Sequence, residues 1–326
     1  MCTAITYKPL DFYFGRNLDL EYSYNEEIII TPRNFKTEYR NTKTCDNHFA
    51  IIGIGIIRDN FPLYYDAVNE HGLAIAGLRF AGNAVYYPVS DKKTNIASFE
   101  LIPYILGKCK TTEEAKHLLN KINISKTNFS EDLPASPLHW IIADKNSSIT
   151  LETLEDGMRI YDNPFGVLTN NPTFDIQMFN LNNYMSLSPM PPVNKLSKFL
   201  SKYTSGMGAM GLPGDLSSMS RFVKANFTKI NSVSKTTETE AVCQFFHILY
   251  SVYQQRGCVK TDSKALEFTV YSSCCNADKG IYYYTTYENF EITGINMHNE
   301  NLKSSSLIHY PLKKIGSLNI LNSAKP

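Results

Sequence analysis

The groups best suited to chemistry sit at the start of the chain. They are Met1-Cys2 and the stretch Tyr13-Phe14-Gly15-Arg16-Asn17-Leu18-Asp19. Aminopeptidases remove an initiator methionine ahead of a small residue, so Cys2 is expected to become N-terminal. A terminal cysteine joins a nucleophilic thiol to a free α-amine, whose ordinary pKa of roughly 7.7–8 lets it take the thiol proton near neutral pH. Such a residue is nucleophile and base at once, with no histidine needed. An arginine beside it lowers the thiol pKa and disfavours protonation of the amine. An aspartate can hold the amine by hydrogen bonds.

A hairpin would bring these groups together. Cys2 to Tyr7 is β-rich, Lys8-Pro9-Leu10-Asp11 reads as a turn, and Phe12 to Arg16 reads as the return strand. Centred near Pro9, it pairs residues whose numbers sum to about nineteen, which sets Cys2 near Asn17, with Arg16 to Asp19 around it. That stretch alone is equally an ordinary edge hairpin carrying a surface Arg and Asp.

The 326 residues suffice for one large domain or two, and the absence of repeats, low complexity or an obvious linker favours a single domain over 1–326. With 43% hydrophobic and 19% charged residues a sizeable core is expected. A net charge of +1 without a basic tail argues against nucleic-acid binding. No apolar run approaches the ~20 residues that span a bilayer. The first residues lack the pattern of a secretory signal, so a cytoplasmic location is expected. Seven cysteines form no Cys-x-x-Cys pair and no histidine cluster has zinc spacing. Free thiols, mostly buried apart from Cys2, are expected, and no structural metal.

Strands are predicted over 27–31, 49–57, 73–80, Leu138 to Ala143, Ser148 to Leu154, 166–169, Phe268 to Ser273, Ile281 to Thr286 and Glu291 to Ile295. Helices are predicted over 98–108, from the capping box Thr111-Thr112-Glu113-Glu114 to about Ile122, over Phe174 to Met185, from Ser217 to about Ile230, and over 239–256 with Gly257 as its cap. Helices within a β-rich chain suggest layers of sheet and helix. His139 and Trp140 are read as structural. Residues 186–214, irregular and rich in Pro, Ser, Gly and Met, read as a binding loop or an interface element.

Cys2, Arg16 with Asp19, the amides of Leu168-Thr169-Asn170-Asn171-Pro172, and Arg221 opening a helix stand in an order that closely resembles the choloylglycine hydrolases. These are the bile salt hydrolases and penicillin V acylases of the N-terminal-nucleophile hydrolase superfamily. The likeness covers essentially the whole chain and includes Pro62-Leu63-Tyr64-Tyr65-Asp66-Ala67, Gly211-Leu212-Pro213-Gly214-Asp215 and Gly280-Ile281-Tyr282-Tyr283-Tyr284. Bile salt hydrolases of Gram-positive gut bacteria are the most similar. The resemblance implies an α+β, four-layer αββα fold with two stacked antiparallel sheets. It implies Cys2 as nucleophile, Arg16, Asp19 and Arg221 as active-site residues, and Asn170 in the oxyanion site with a backbone N–H near Arg79. The substrate it implies is a glycine- or taurine-conjugated bile salt, cleaved at the C24 amide without metal or cofactor, and the assembly is expected to be a homotetramer. Apolar candidates for the pocket are Leu18, Ile56, Phe61, Phe80 and Leu133.

Two positions depart from the family pattern. Arg79 stands where bile salt hydrolases usually carry Asn and penicillin V acylases Tyr; its side chain could block the pocket or attract an anionic group of the substrate. Tyr203-Thr204-Ser205-Gly206-Met207-Gly208 lacks the Arg of its relatives in a segment that resembles a specificity loop. Hydrolysis of penicillin V or another N-acyl amide, acyl transfer to other amines, and an inactive steroid-binding relative are the competing readings.

Overall fold

Most strands of this chain are buried on both faces: every residue from Ile51 to Ile56 is inaccessible, and so is almost all of 268–276. That pattern requires each sheet to be covered twice. The computed structural model describes residues 1–322. In chain order the elements are β1 (Cys2–Tyr7), β2 (Tyr13–Leu20), β3 (Glu27–Thr31), β4 (Ile51–Arg58), β5 (Phe61–Asn69), β6 (Ala74–Arg79), β7 (Thr94–Ala97), α1 (Leu101–Leu106), α2 (Thr112–Leu119) and β8 (Ile122–Ser125). They continue with β9 (Leu138–Ala143), β10 (Ser148–Leu154), β11 (Gly157–Asp162), β12 (Val167–Leu168), α3 (Phe174–Leu181), α4 (Ser218–Asn231) and α5 (Glu238–Tyr250). The last are β13 (Val259–Lys260), β14 (Leu266–Asn276), β15 (Ile281–Thr286), β16 (Asn289–Asn296) and β17 (Ile308–Pro311).

One antiparallel sheet runs β12-β1-β2-β14-β15-β16, with β13 beside β14; the other runs β11-β10-β9-β6-β5-β4-β3-β17. The sheets stack face to face. Ala74, Ala76 and Leu78 of β6 meet Cys2, Ala4 and Leu18 in the core between them. Ile75, on the opposite face of β6, packs with Leu101, Ile105 and Leu106 of α1. On the far side of the first sheet, Phe245, Phe246 and Leu249 form the buried stripe of α5. The result is an α+β fold in four layers, helix–sheet–sheet–helix. A parallel pair, β7 with β8, lies outside the two sheets.

Several boundaries differ from the sequence-based expectation, two helix ends among them. Helix α2 stops at Leu119 rather than near Ile122, because Ile122 and Ile124 are buried in β8 beside β7. Helix α5 stops at Tyr250, where Ser251 Oγ donates to the Ile248 carbonyl at 2.7 Å. Gln254 is drawn off the helix by β14, its N–H donating to Thr269 Oγ1 at 2.9 Å. Gly257 therefore caps no helix; it sits at φ +102° in the turn before β13. All seven cysteines are unpaired, but they are not uniformly hidden: Cys2, Cys109, Cys274 and Cys275 are buried, Cys45 and Cys243 are half-buried, and Cys258 is exposed.

Lys229 of α4 fastens the strand that carries Cys2. Its Nζ donates to Thr6 Oγ1 at 2.8 Å and to the Phe165 carbonyl. Burial pushes its pKa from 10.5 down to about 8. The folded state thus sheds this proton at lower pH than the unfolded chain does. Stability then rises with pH between about 8 and 10.5 and is lowest on this account below 8. Thermal melts of wild type and Lys229→Met across pH 7–11 should show the wild type gaining on the variant, by about 3 kcal/mol in total. A parallel pair of curves would show that the ammonium is not desolvated.

Candidate active site

The hairpin register decides what faces the thiol. Strands β1 and β2 pair Cys2 with Leu18, Thr3 with Asn17 and Ala4 with Arg16, so paired numbers sum to twenty, one more than expected. The cause lies in the turn. Phe12 does not join the return strand: its N–H donates to Asp278 Oδ2 at 2.7 Å and its carbonyl accepts from Ala277 N–H at 2.9 Å. A one-residue slip turns every side chain to the other face. In the observed register the Cys2 thiol and Arg16 share the face toward the second sheet. Thr3, Asn17 and Asp19 face the other way, where Asn17 Nδ2 donates to Leu249 O of α5 at 2.9 Å.

Arg16 opens a gap in the second sheet. Strands β5 and β6 pair through Asp66↔Ala76 and then separate. Continued, the ladder would next place Tyr65 opposite Gly77. The Arg16 guanidinium lies there instead, its Nη1 donating to Tyr65 O at 3.0 Å and Gly77 O at 2.6 Å. Burial works against the Arg16 charge, but Cys2, Tyr271, Asp66 and Asp19 around it hold its pKa above the usual arginine value. Asp66 is itself held by Tyr271 (2.6 Å), Ser273 (3.0 Å) and Tyr282.

Asn170 and Arg221 close the site from the helical side. Asn170 Oδ1 accepts from the Cys2 N–H at 2.8 Å and from Arg221 Nη2 at 2.7 Å, while its Nδ2 donates to Arg79 O at 2.7 Å. Arg221, in the first turn of α4, also donates to Cys2 O at 2.5 Å, Thr3 Oγ1 at 2.6 Å and Leu216 O at 2.9 Å. Burial lowers its pKa, against Asp19 and Cys2, which raise it. The Asn170 loop is pinned by His139, whose Nε2 lies 2.8 Å from Thr169 O and whose Nδ1 lies 3.1 Å from Glu152 Oε1.

Arg79 presents a backbone donor next to this group. Phe80 N–H donates to Pro137 O at 2.8 Å. Bonded and open pairs alternate along an antiparallel ladder, so Arg79↔Leu138 is an open pair and the Arg79 N–H points away from β9, toward the gap beside β5.

Among the buried side-chain polar atoms that have no hydrogen-bond partner in the described residues are Arg16 Nη2 and Asp19 Oδ2. The other Asp19 oxygen accepts from Thr269 Oγ1 at 2.6 Å. Burial raises the Asp19 pKa, opposed by the terminal amine, Arg221, Thr269 and Arg16. With Met1 in place, its own amine donates to Asp19 O at 2.9 Å, pairs with Glu267, and is lowered in pKa by burial.

A cavity of ≈ 320 Å³ opens at Cys2. Of the apolar candidates, Leu18, Ile56 and Leu133 line it, together with Leu20, Phe99 and Phe129. Phe61 and Phe80 do not. Phe61 stands behind the wall, edge-on to Phe99 at 5.8 Å between ring centroids. Phe80 has the same parity as Leu78 and faces the inter-sheet side, stacked on His139 at 4.1 Å. Sequence reasoning passed over most of the loop 129–137, which supplies one wall. Leu133-Pro134-Ala135-Ser136-Pro137, apolar yet unable to form a regular element, was the available signal.

A cysteine near the free end of a strand, set between two stacked antiparallel sheets with helices outside, is the arrangement of an N-terminal-nucleophile hydrolase. The structure superposes on the conjugated bile acid hydrolase of Clostridium perfringens with a TM-score of 0.91 at 37% identity, covering 99% of this chain and 100% of that one. It shares its fold with a penicillin V acylase of Agrobacterium tumefaciens at a TM-score of 0.77 and 20% identity, over 96% and 92% of the two chains. Residues 2–310 match the model of the linear amide C-N hydrolases, choloylglycine hydrolase family. A bile salt hydrolase/transferase of Lactiplantibacillus plantarum is 55% identical over 96% of this chain and 97% of its own. The chain belongs to the choloylglycine hydrolase family.

Proposed function

We propose that this chain hydrolyses the amide bond joining a bile acid to glycine or taurine, with Cys2, freed of Met1, as the nucleophile. One observation carries the reading: the Cys2 thiol opens onto an apolar cavity while Arg16 Nη2, on the face of the thiol, and Asp19 Oδ2, on the other face of the hairpin, are buried without partners among the described residues. A free Cys2 amine would supply the donor that Asp19 lacks, and a thiolate the acceptor that Arg16 lacks.

In this mechanism the amine takes the thiol proton and the sulfur attacks the amide carbonyl. The resulting oxyanion is held by the second N–H of Asn170 Nδ2 and the N–H of Arg79. The ammonium then passes its proton to the leaving nitrogen as the C–N bond breaks, leaving an acyl-thioester. Water, giving a proton to the same amine, hydrolyses the thioester and releases the acid. Asn170→Ala is expected to lower kcat for glycocholate by about 10²–10³-fold; a fall within threefold would remove Asn170 from the oxyanion site. Assay of glycocholate, taurocholate and penicillin V side by side tests the substrate class. Turnover of penicillin V alone would overturn it. Acyl transfer to other amines uses the same thioester and is favoured by the hydrolase/transferase names of the relatives from L. plantarum and C. perfringens.

The reading includes a single domain, a cytoplasmic location and a homotetramer. Met185, Met190, Leu196, Phe199 and Tyr203 are exposed along one irregular stretch, which supports contact between copies there. Light scattering of the purified protein tests the assembly, and a monomer would end that part of the reading.

A further inference from the structure

We propose that the Arg79 guanidinium is the anion-recognition group of the cavity and that it selects conjugates whose leaving amine carries a carboxylate or sulfonate. The inference rests on the proposed amide hydrolysis and assigns a role to the Arg79 side chain. Arg79 lines the same cavity as Cys2 and is exposed. Among the described residues its guanidinium has no hydrogen bond or ion pair, unlike Arg221 and Nη1 of Arg16, whose donors are committed to Tyr65, Gly77, Cys2, Thr3 and Asn170.

The position is tied to the reacting atoms from both sides. Asn170 bridges the Arg79 carbonyl and the Cys2 nitrogen, and Arg16 holds the Gly77 carbonyl two residues earlier. The charge of Arg79 is felt at the terminal amine, whose proton it disfavours. The side chain has the parity of Ile75 and Gly77, not of the core residues Leu78 and Phe80, so it leaves β6 on the face that carries Trp140, where Trp140 and residues 133–137 also line the cavity. Glu21 is the acidic residue on the cavity wall, and it disfavours an anion on its own side. A conjugate with one anion therefore binds with its apolar acyl part against Leu18, Ile56 and Phe129 and its acid toward Arg79. In a glycine conjugate that acid is one carbon from the scissile nitrogen, within reach of an arginine rooted beside the oxyanion site. An arginine can grip either a carboxylate or a sulfonate with paired donors.

The test compares glycocholate and taurocholate with cholyl N-ethylamide, a neutral amide of the same acid, on wild type, Arg79→Gln and Arg79→Lys. Arg79→Gln is expected to lower the ratio of kcat/KM for charged over neutral substrate by about tenfold or more, mainly through KM, with Arg79→Lys in between. Salt should raise the wild-type KM for glycocholate and leave that of Arg79→Gln nearly flat. An unchanged ratio, or a loss confined to kcat, overturns the proposal. N-phenylacetylglycine against N-ethylphenylacetamide separates this inference from the substrate reading. Should bile salts not turn over, a preference for the acid that Arg79→Gln abolishes sustains the anion site, and equal rates on both amides refute it.

Discussion

Cys2→Ala is expected to abolish amide cleavage, by at least about 10⁴-fold in kcat, while the protein folds and melts like the wild type. The size of the effect follows from the cavity wall: Cys2 is the cysteine that lines it, and Ser98 and Ser136, which also line it, show no hydrogen bond to a base among the described residues. The small effect on stability follows from the contacts that remain. The Cys2 N–H to Asn170 and the Cys2 carbonyl to Arg221 belong to the backbone and survive the substitution. Calorimetry beside a glycocholate assay checks both halves. Activity surviving in Cys2→Ala within 100-fold would move the chemistry elsewhere.

Arg16→Leu is expected to damage both fold and chemistry. The substitution leaves the Tyr65 and Gly77 carbonyls facing an apolar group in the gap between β5 and β6. It also removes the cation from a neighbourhood holding Asp19 and Asp66, both fully buried. Breaking a buried ionic cluster from one side costs about 3–5 kcal/mol, expected as a clear fall in melting temperature. Loss of the positive charge facing the thiol removes the cation that would stabilise the attacking sulfur, so kcat/KM should fall by about 10²-fold or more. Arg16→Lys keeps the charge and should recover stability more than activity, because an ammonium cannot bridge two carbonyls and still reach the sulfur. A stable, active Arg16→Leu would show that the gap needs no cation.

Strands β9, β10 and β15 were legible to the residue because alternation and flanking turns mark both ends. The short pieces β7, β8 and β17 were not, since four-residue strands at the margin of a sheet carry too little pattern. The hairpin was seen but misregistered by one, because Phe12 is claimed by the Ala277-Asp278 turn, a contact more than 260 residues away in sequence. That single residue decides whether Arg16 faces the thiol. Phe80 illustrates another limit: residue type marks it as apolar, but only the parity set by Leu78 and His139 shows that it faces the core rather than the cavity. The bridging of β5 and β6 by Arg16 could not be read at all, since it exists only where two strands of one sheet part over a side chain of the other.

The central claim is that the α-amine and thiol of one residue, Cys2, do the chemistry. Intact-mass analysis of purified protein, before and after a thiol alkylator and paired with glycocholate turnover, tests it most directly. The account predicts a chain lacking Met1, a single fast alkylation that maps to Cys2, and loss of turnover in proportion to it. Full turnover by protein that retains Met1, or after Cys2 is fully alkylated, would contradict it.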